Sequence, residues 1–193
     1  ILQQTIADIA NAIAQFEPVI LLAAPSDQAR AKTMLSSNVT LWDIPTEDLW
    51  ARDAGPLIAH RGSRRVVSHI KFNGWGNKQV HTRDGQVAGA IATRLGFDLV
   101  DSGFFGEAGG VEHDGHGLLM AHESSWVNKN RNPSLSRADV ERRLLKAYGA
   151  ERMIWGKGVR GEDITDYHID SLARFTGPNR ALINLNDNPD WED

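Results

Sequence analysis

The chain has 193 residues and a mass of 21.3 kDa, which favours a single domain of ordinary size. Hydrophobic residues make up 41% and charged residues 24%, a composition typical of a folded globular protein. The net charge of -4 gives no reason to expect nucleic acid as a partner and suits a cationic ligand. Because there is no cysteine, these residues contain no disulfide, thiolate metal site or cysteine nucleophile.

The sequence shows no targeting or membrane segment. No basic stretch precedes a long apolar run at the N-terminus, and no apolar stretch approaches the roughly 18 residues of a transmembrane helix. We therefore expect a cytoplasmic protein without membrane contact. The chain begins at Ile1 and stops at Asp193, directly after a strand-like run. We expect both ends to have been cut from a longer chain.

The first half of the chain is predicted to alternate helices and strands. Pro18 ends the first helix, and Ser26 is the expected N-cap of the second. The predicted elements are a helix over 6–16, a strand over 19–22, a helix from 26 to about 35, a strand over 39–42, and a hairpin over 56–70 with its turn at 61–63.

The second half repeats the alternation. Gly96 and Gly149 are the expected C-caps of two helices, and Ser136 with Asp139 forms a capping-box pattern. The predicted elements are a helix over 87–95, a strand over 97–100, a helix over 136–148, a strand over 153–155, a short helix near 172 and a strand over 181–185. This order predicts an α/β fold. It favours repeated ββαβ units over a doubly wound sheet, because no Gly-rich turn follows the first strand.

Residues 50–56, WARDAGP, place an aromatic ring, a cation and a carboxylate just before a predicted strand. The functional interpretation is that Asp53 points into a pocket with Trp50 as its apolar wall. The alternative is a surface ion pair between Arg52 and Asp53 beside a buried tryptophan. Residues 72–78, FNGWGNK, flank Trp75 with glycines that let the backbone pass closely around the ring. Alone, they do not distinguish a functional loop from a loop with one aromatic residue in the core.

Residues 107–117 concentrate acids and histidines among glycines. One interpretation is a metal site with ligands His113, Asp114, His116 and His122. However, neighbouring residues of a strand point to opposite faces, and Asp114-Gly115 is a strong hairpin signal. We therefore expect a hairpin that carries one functional carboxylate, Glu107, and no metal.

Residues 161–170 contain His168 and Asp170 two positions apart, so both would share one face of an extended segment. A histidine beside a carboxylate suits acid/base catalysis near neutral pH. The alternative is a solvated acidic loop in which Asp166 or Asp170 caps a helix.

Residues 123–133, with three asparagines and a proline, predict a rigid loop of architectural character.

Taken in order, WARDAGP, FNGWGNK, the acid-Gly-Gly stretch ending in DGHG, ESSWVNKNRNP and TDYHIDSLARF resemble the agmatine deiminase and bacterial-type peptidylarginine deiminase family. The resemblance runs from about Trp42 to Leu185. It implies the guanidine-modifying pentein superfamily, whose fold is a five-bladed α/β propeller. Residues 1–193 would then form one partial domain of about three of the five blades, without the N- and C-terminal segments.

The resemblance also implies a role for each matching residue. Asp53 and Asp170 would bind the substrate guanidinium, with Trp50 lining the pocket. His168 would be the catalytic histidine, and Glu107 would support it. The family hydrolyses a guanidinium to a ureido group without a metal or organic cofactor, using a cysteine from a C-terminal segment that this chain lacks. The sequence departs from the family pattern at Ala108, Tyr167 and Ser124-Ser125.

Residue chemistry supports the same substrate class, because two carboxylates can bind a planar guanidinium through paired, charge-assisted hydrogen bonds. We expect agmatine, which would yield N-carbamoylputrescine, since no basic group in the motifs identifies itself as a partner for an α-carboxylate. Peptidylarginine or free arginine is the alternative substrate. A non-catalytic guanidine-binding module is the alternative for a chain without the nucleophile. A homodimer is expected by analogy with the family.

Overall fold

The computed structural model describes residues 2–185. Contacts between residues group the chain into two compact units, Ile1–Leu49 and Trp50–Asp193. One domain over 1–193 stays a prediction. None of the helices within the described residues has the length and hydropathy needed to span a bilayer.

The first unit is a parallel pair of strands with two helices. Its elements are α1 (Leu2–Ile13), β1 (Val19–Leu22), a 3-10 turn (Pro25–Asp27), α2 (Gln28–Met34) and β2 (Val39–Trp42). β1 and β2 pair in parallel, with α2 as the crossover that parallel pairing requires. Both strands confirm the prediction. Ser26 as an N-cap is wrong, because the 3-10 turn delays the helix to Gln28 and the Ser26 hydroxyl bonds the Asp27 carboxylate at 3.4 Å.

The second unit contains all the segments that suggested chemistry. Its elements are α3 (Ala51–Ala54), β3 (Leu57–Arg61), β4 (Arg64–Lys71), α4 (Gly74–Asn77), α5 (Asp84–Leu95), β5 (Asp98–Phe105), a 3-10 turn (Ala108–Gly110), β6 (Val111–His113), β7 (Leu118–His122), α6 (Glu123–Trp126), α7 (Arg137–Tyr148), β8 (Arg152–Gly156), a 3-10 turn (Ile169–Ser171), β9 (Ala173–Gly177) and β10 (Arg180–Ile183).

This unit uses one arrangement twice. β3 and β4 form an antiparallel hairpin, α5 crosses over, and β5 pairs parallel to β4. β6, β7, α7 and β8 repeat that order and pairing, and β9 with β10 forms a further hairpin. The α/β class and the ββαβ units are therefore confirmed. No sheet formed by the described residues closes on itself, and the number of blades stays a prediction.

Local sequence signals set the ends of these elements. Gly96 and Gly149 have φ of 67° and 65° and cap α5 and α7 in the left-handed conformation, which glycine adopts without steric cost. The Ser136 hydroxyl accepts from the Asp139 amide at 3.2 Å, and the Asp139 carboxylate accepts from the Ser136 amide at 3.2 Å. The predicted caps and capping box are confirmed.

A buried apolar cluster contacts the segment that precedes β6. Its members are Phe104, Val111, Leu119, Ala121, Trp126, Val140, Leu144 and Ala147. Burying each large apolar side chain contributes about 1.5–3 kcal/mol. The Trp126 indole nitrogen donates to the Gly110 carbonyl at 2.6 Å, and its ring leaves no room for a side chain at Gly106. The core thereby fixes the backbone on both sides of Glu107.

Candidate active site

The predicted site residues lie in the second unit, in segments outside its strands. Asp53 is on the one-turn helix α3, Glu107 follows β5, and His168 directly precedes the 3-10 turn that holds Asp170. The predicted extended segment over His168 and Asp170 is wrong, because the Leu172 amide closes that turn onto the Ile169 carbonyl at 3.0 Å. Neither Asp166 nor Asp170 is the residue that precedes this turn, which is His168.

Three of these side chains face one another around Gly109. A Cβ atom at Gly109 would lie 2.7 Å from His168 Nδ1, 2.9 Å from Asp53 Oδ1 and 3.0 Å from Asp170 Oδ2. All three atoms are therefore within 3.0 Å of one point. Only glycine leaves that point open. The structure thus brings together two carboxylates and an imidazole that are far apart in sequence.

Asp53 is a fixed and partly buried carboxylate, not half of a surface ion pair. Its Oδ2 accepts from the Trp75 indole nitrogen at 2.9 Å, and its Oδ1 accepts from the Gly109 amide at 3.0 Å. Burial raises the pKa of Asp53, while the nearby His168 and the hydrogen bonds from Trp75 and Gly109 oppose that rise. A bound cation would stabilise the ionised form of such a carboxyl group.

A left-handed turn aims Trp75 at Asp53. The consecutive residues 74–77 all have positive φ, including 55° at Trp75 and 62° at Asn77. This conformation is costly outside glycine. The Asn73 side chain supports the turn by accepting from the Gly76 amide at 2.9 Å. The glycines beside Trp75 therefore serve a turn that the sequence pattern alone did not identify.

His168 and Glu107 form a buried pair. His168 is 5% exposed and Glu107 is 1% exposed, and the distance from His168 Nε2 to Glu107 Oε2 is 3.2 Å. Arg131 Nε lies 2.9 Å from each carboxylate oxygen of Glu107. His168 Nε2 is within hydrogen-bonding distance of Glu107. The other ring nitrogen, Nδ1, therefore faces the carboxylates of Asp53 and Asp170 near Gly109.

The segment just before His168 has an unusual backbone. Asp166 and Tyr167 have φ of 61° and 68°, which non-glycine residues rarely adopt. Burial alone would raise the pKa of Asp166, but hydrogen bonds from Lys78, Asn130, Arg131 and the Gly161 amide lower it to about 2. The carboxylate of Asp166 therefore ties this segment to two cations, at 2.8 Å for Lys78 and 2.7 Å for Arg131.

Trp50 lies apart from these contacts. Its side chain is 55% exposed, and its carbonyl accepts from the Asp53 amide at 3.1 Å. The indole that contacts Asp53 belongs to Trp75. A role for Trp50 in lining a substrate pocket stays a prediction.

The histidines considered as metal ligands are dispersed. The His113 ring faces Tyr148 at 6.0 Å, and the buried His122 stacks on Tyr167 at 4.9 Å. Asp114 accepts from the amide of His116 in the loop between β6 and β7 and from the amide of Leu118 at the start of β7. The two strands pair antiparallel, which confirms the predicted hairpin. Among residues 2–185 there is no group of three or more acids or histidines arranged to hold a metal ion.

Three residues that touch the site were missed from sequence. Trp75, Arg131 and Asp166 each hold a predicted site residue or its segment, yet their patterns indicated only loops. The departures from the family pattern also have contacts here. The Ser124 hydroxyl donates to the Asp166 carbonyl at 2.7 Å, and Tyr167 provides the ring on which His122 stacks.

Asp53 also borders a cavity of about 530 Å³. Its wall includes Arg52, Tyr148 and an ion pair between Arg174 and Glu112 with a separation of 2.9 Å. The cationic side chains of Arg52 and Arg174 therefore line the same cavity as the Asp53 carboxylate.

Comparison with known proteins identifies relatives along nearly the whole chain. Residues 1–193 match the family described as Porphyromonas-type peptidyl-arginine deiminase. A Vibrio parahaemolyticus protein provisionally named agmatine deiminase is 35% identical over 97% of this chain and 54% of its own length. A Shewanella frigidimarina protein with the same provisional name is 34% identical over 96% of this chain and 52% of its own length. The chain spans about half the length of these curated relatives.

Solved structures agree with this match. A structure provisionally described as the arginine deiminase of Porphyromonas gingivalis is 28% identical, with a TM-score of 0.87 over 99% of this chain and 59% of that one. The agmatine deiminase of Enterococcus faecalis has a TM-score of 0.88 over 97% of this chain and 53% of that one. Its identity of 24% shows a shared fold only.

Proposed function

Because the chain belongs to the Porphyromonas-type peptidyl-arginine deiminase family, we propose that the protein carrying it is an agmatine deiminase-like hydrolase. Agmatine and water are converted to N-carbamoylputrescine and ammonia. The names of the similar Vibrio and Shewanella proteins support this substrate. The observation that carries the proposal is the arrangement of His168 Nδ1, Asp53 Oδ1 and Asp170 Oδ2 around Gly109.

Asp53 and Asp170 bind the guanidinium in this proposal. A guanidinium is planar and carries its N–H groups in a fork, so two carboxylates in fixed positions can hold it through charge-assisted hydrogen bonds. Trp75 and Gly109 hold both oxygens of Asp53 in place. The bound cation is thereby oriented with its carbon beside His168, which favours attack at that carbon by proximity.

His168 transfers protons through Nδ1, because its Nε2 is directed at Glu107. A thiolate attacks the guanidinium carbon, and the C–N bond to one terminal nitrogen breaks as His168 protonates the departing ammonia. His168 then takes a proton from water, which attacks the same carbon and releases the ureido product with the thiol. Residues 1–193 contain no cysteine, so we place the nucleophile outside them.

Arginine, free or in a peptide, is the second candidate substrate. It carries an α-carboxylate or backbone that agmatine lacks, and Arg52 and Arg174 lie in the wall of the cavity beside Asp53. Relative kcat/KM for agmatine, arginine and a capped arginine amide decides between them. A higher kcat/KM for either arginine compound than for agmatine, lost in Arg52→Met, would show that arginine and not agmatine is the substrate.

A guanidine-binding module without turnover is the third candidate, which the absence of cysteine from residues 1–193 favours. Agmatine binding without product, in a native protein of 21.3 kDa that has no reactive thiol, would establish it. The homodimer and the cytoplasmic location stay predictions.

The site assignment is tested by turnover of the native protein with agmatine. We expect Asp53→Asn and His168→Ala each to abolish ammonia release, because the first removes a charge that binds guanidinium and the second removes the proton carrier. Asp98→Asn is the control, since the Asp98 side chain is exposed and pairs at 3.8 Å with Arg64, which is also exposed. Turnover by both site variants at the rate of the control would overturn the assignment.

A further inference from the structure

Arg131 contacts both parts of the structure that hold His168. Its side chain is fully buried, and its Nε lies 2.9 Å from both oxygens of Glu107. Its Nη2 donates to the Thr165 carbonyl at 2.9 Å, and its Nη1 donates to Asp166 Oδ2 at 2.7 Å. One guanidinium therefore joins the acid beside His168 to the segment that leads into His168.

The Glu107 side of this contact fixes an acceptor. A carboxylate held on both oxygens by one arginine nitrogen cannot rotate without losing charge-assisted bonds. Its Oε2 is also the atom 3.2 Å from His168 Nε2. Arg131 thus fixes the position of the Glu107 oxygen that accepts the Nε2 proton of His168.

The loop side of the contact fixes the backbone. Thr165 and Asp166, both bonded to Arg131, precede Tyr167 and His168, and the two residues with positive φ lie between Thr165 and His168. Such a conformation persists only where surrounding contacts enforce it. Arg131 supplies two of those contacts, so both partners of the pair between His168 and Glu107 depend on one side chain.

We propose that Arg131 is a positioning residue that holds His168 with Nε2 on Glu107 and Nδ1 towards Asp53 and Asp170. The proposal rests on the function proposed above, in which Nδ1 transfers the proton. Lysine at this position keeps the charge but has a single nitrogen, which cannot serve Glu107 and the Thr165 carbonyl together. Charge alone therefore does not rescue the arrangement.

The test is the exchange of the His168 Nε2 proton with water, followed by NMR in the native protein labelled with ¹⁵N-histidine. We expect exchange at least about tenfold faster in Arg131→Lys and Arg131→Met, because the pair opens more often. Asn132→Ala is the matched control, since Asn132 is the buried neighbour of Arg131 and its side chain bonds Phe105 in β5 and the Trp126 carbonyl, not Glu107 or the segment before His168. We expect the control to keep the wild-type exchange rate even where its melting temperature falls.

Wild-type exchange in both Arg131 variants would overturn the proposal and leave Arg131 a purely structural residue. Asp166→Asn keeps the shape of the side chain and removes the charge that meets Nη1, so it provides the same test where the Arg131 variants do not fold. We expect it to accelerate exchange also, and an unchanged rate would contradict the proposal. Agmatine binding is measured separately, so its absence in the wild type refutes the proposed function without deciding the role of Arg131.

Discussion

A single methyl group at Gly109 is expected to disable the site. The Cβ of Gly109→Ala would lie 2.7 Å from His168 Nδ1 and within 3.0 Å of both binding carboxylates, closer than real Cβ contacts allow. The side chains must therefore move apart. Each charge-assisted hydrogen bond contributes about 1.5–3 kcal/mol. Losing one bond from each carboxylate would weaken agmatine binding by about 100-fold or more, since each 1.4 kcal/mol is about tenfold.

Isothermal titration with agmatine measures this loss, using the native protein with its nucleophilic cysteine replaced by serine so that the substrate is not consumed. Thermal unfolding measures the cost to the fold. Overpacking costs about 1–3 kcal/mol, so the melting temperature should fall by roughly 2–12 °C. Gly89→Ala is the control, because its Cβ would meet only a Leu99 methyl at 3.9 Å. It lies inside α5, where alanine adds about 0.5–1 kcal/mol of stability. Unchanged affinity in Gly109→Ala, within about twofold, would refute the placement of the guanidinium.

Three further measurements test the site and the fold around it. Trp75→Phe keeps an aromatic ring but removes the donor to Asp53, so agmatine affinity in a titration should fall by about tenfold; unchanged affinity would show that this bond does not position Asp53. Burial raises the pKa of Asp53, so agmatine affinity should begin to fall on acidification at a pH above the usual pKa of an aspartate. Asp53→Asn should remove this pH dependence. Ser136→Ala breaks the capping box with Asp139 and should lower the unfolding free energy by about 1 kcal/mol, measured with urea, without changing affinity.

Residues close together in sequence correctly predicted the helix caps and the hairpin of the second unit. The glycine caps, the capping box and the Asp114-Gly115 hairpin depend on residues within a few positions of one another, so the sequence displays them directly. The Ser26 cap failed because Pro25 opens a 3-10 turn, a competing local structure that the helical pattern concealed. Phe16, which continued the helical spacing, lies beyond the end of α1 and is 88% exposed.

The interior of the site was harder to predict because its contacts span long stretches of chain. Arg131 meets Glu107 across 24 positions and Asp166 across 35, and no local pattern links such residues. Trp75 reaches Asp53 only through a left-handed turn, which flanking glycines permit without specifying. The resemblance to a family singled out Asp53, Glu107, His168 and Asp170, whose side chains the structure brings close together, but not the side chains that hold them, and their roles stay predictions.

In the proposed function, a guanidinium binds between Asp53 and Asp170 beside His168. A crystal structure with agmatine tests this placement most directly, using the native protein with its nucleophilic cysteine replaced by serine so that the substrate is not consumed. We predict guanidinium nitrogens about 2.7–2.9 Å from oxygens of both aspartates, with the guanidinium carbon facing His168 Nδ1. Agmatine bound elsewhere, for example with its guanidinium against Glu112 in the neighbouring cavity and neither aspartate in contact, would contradict the account.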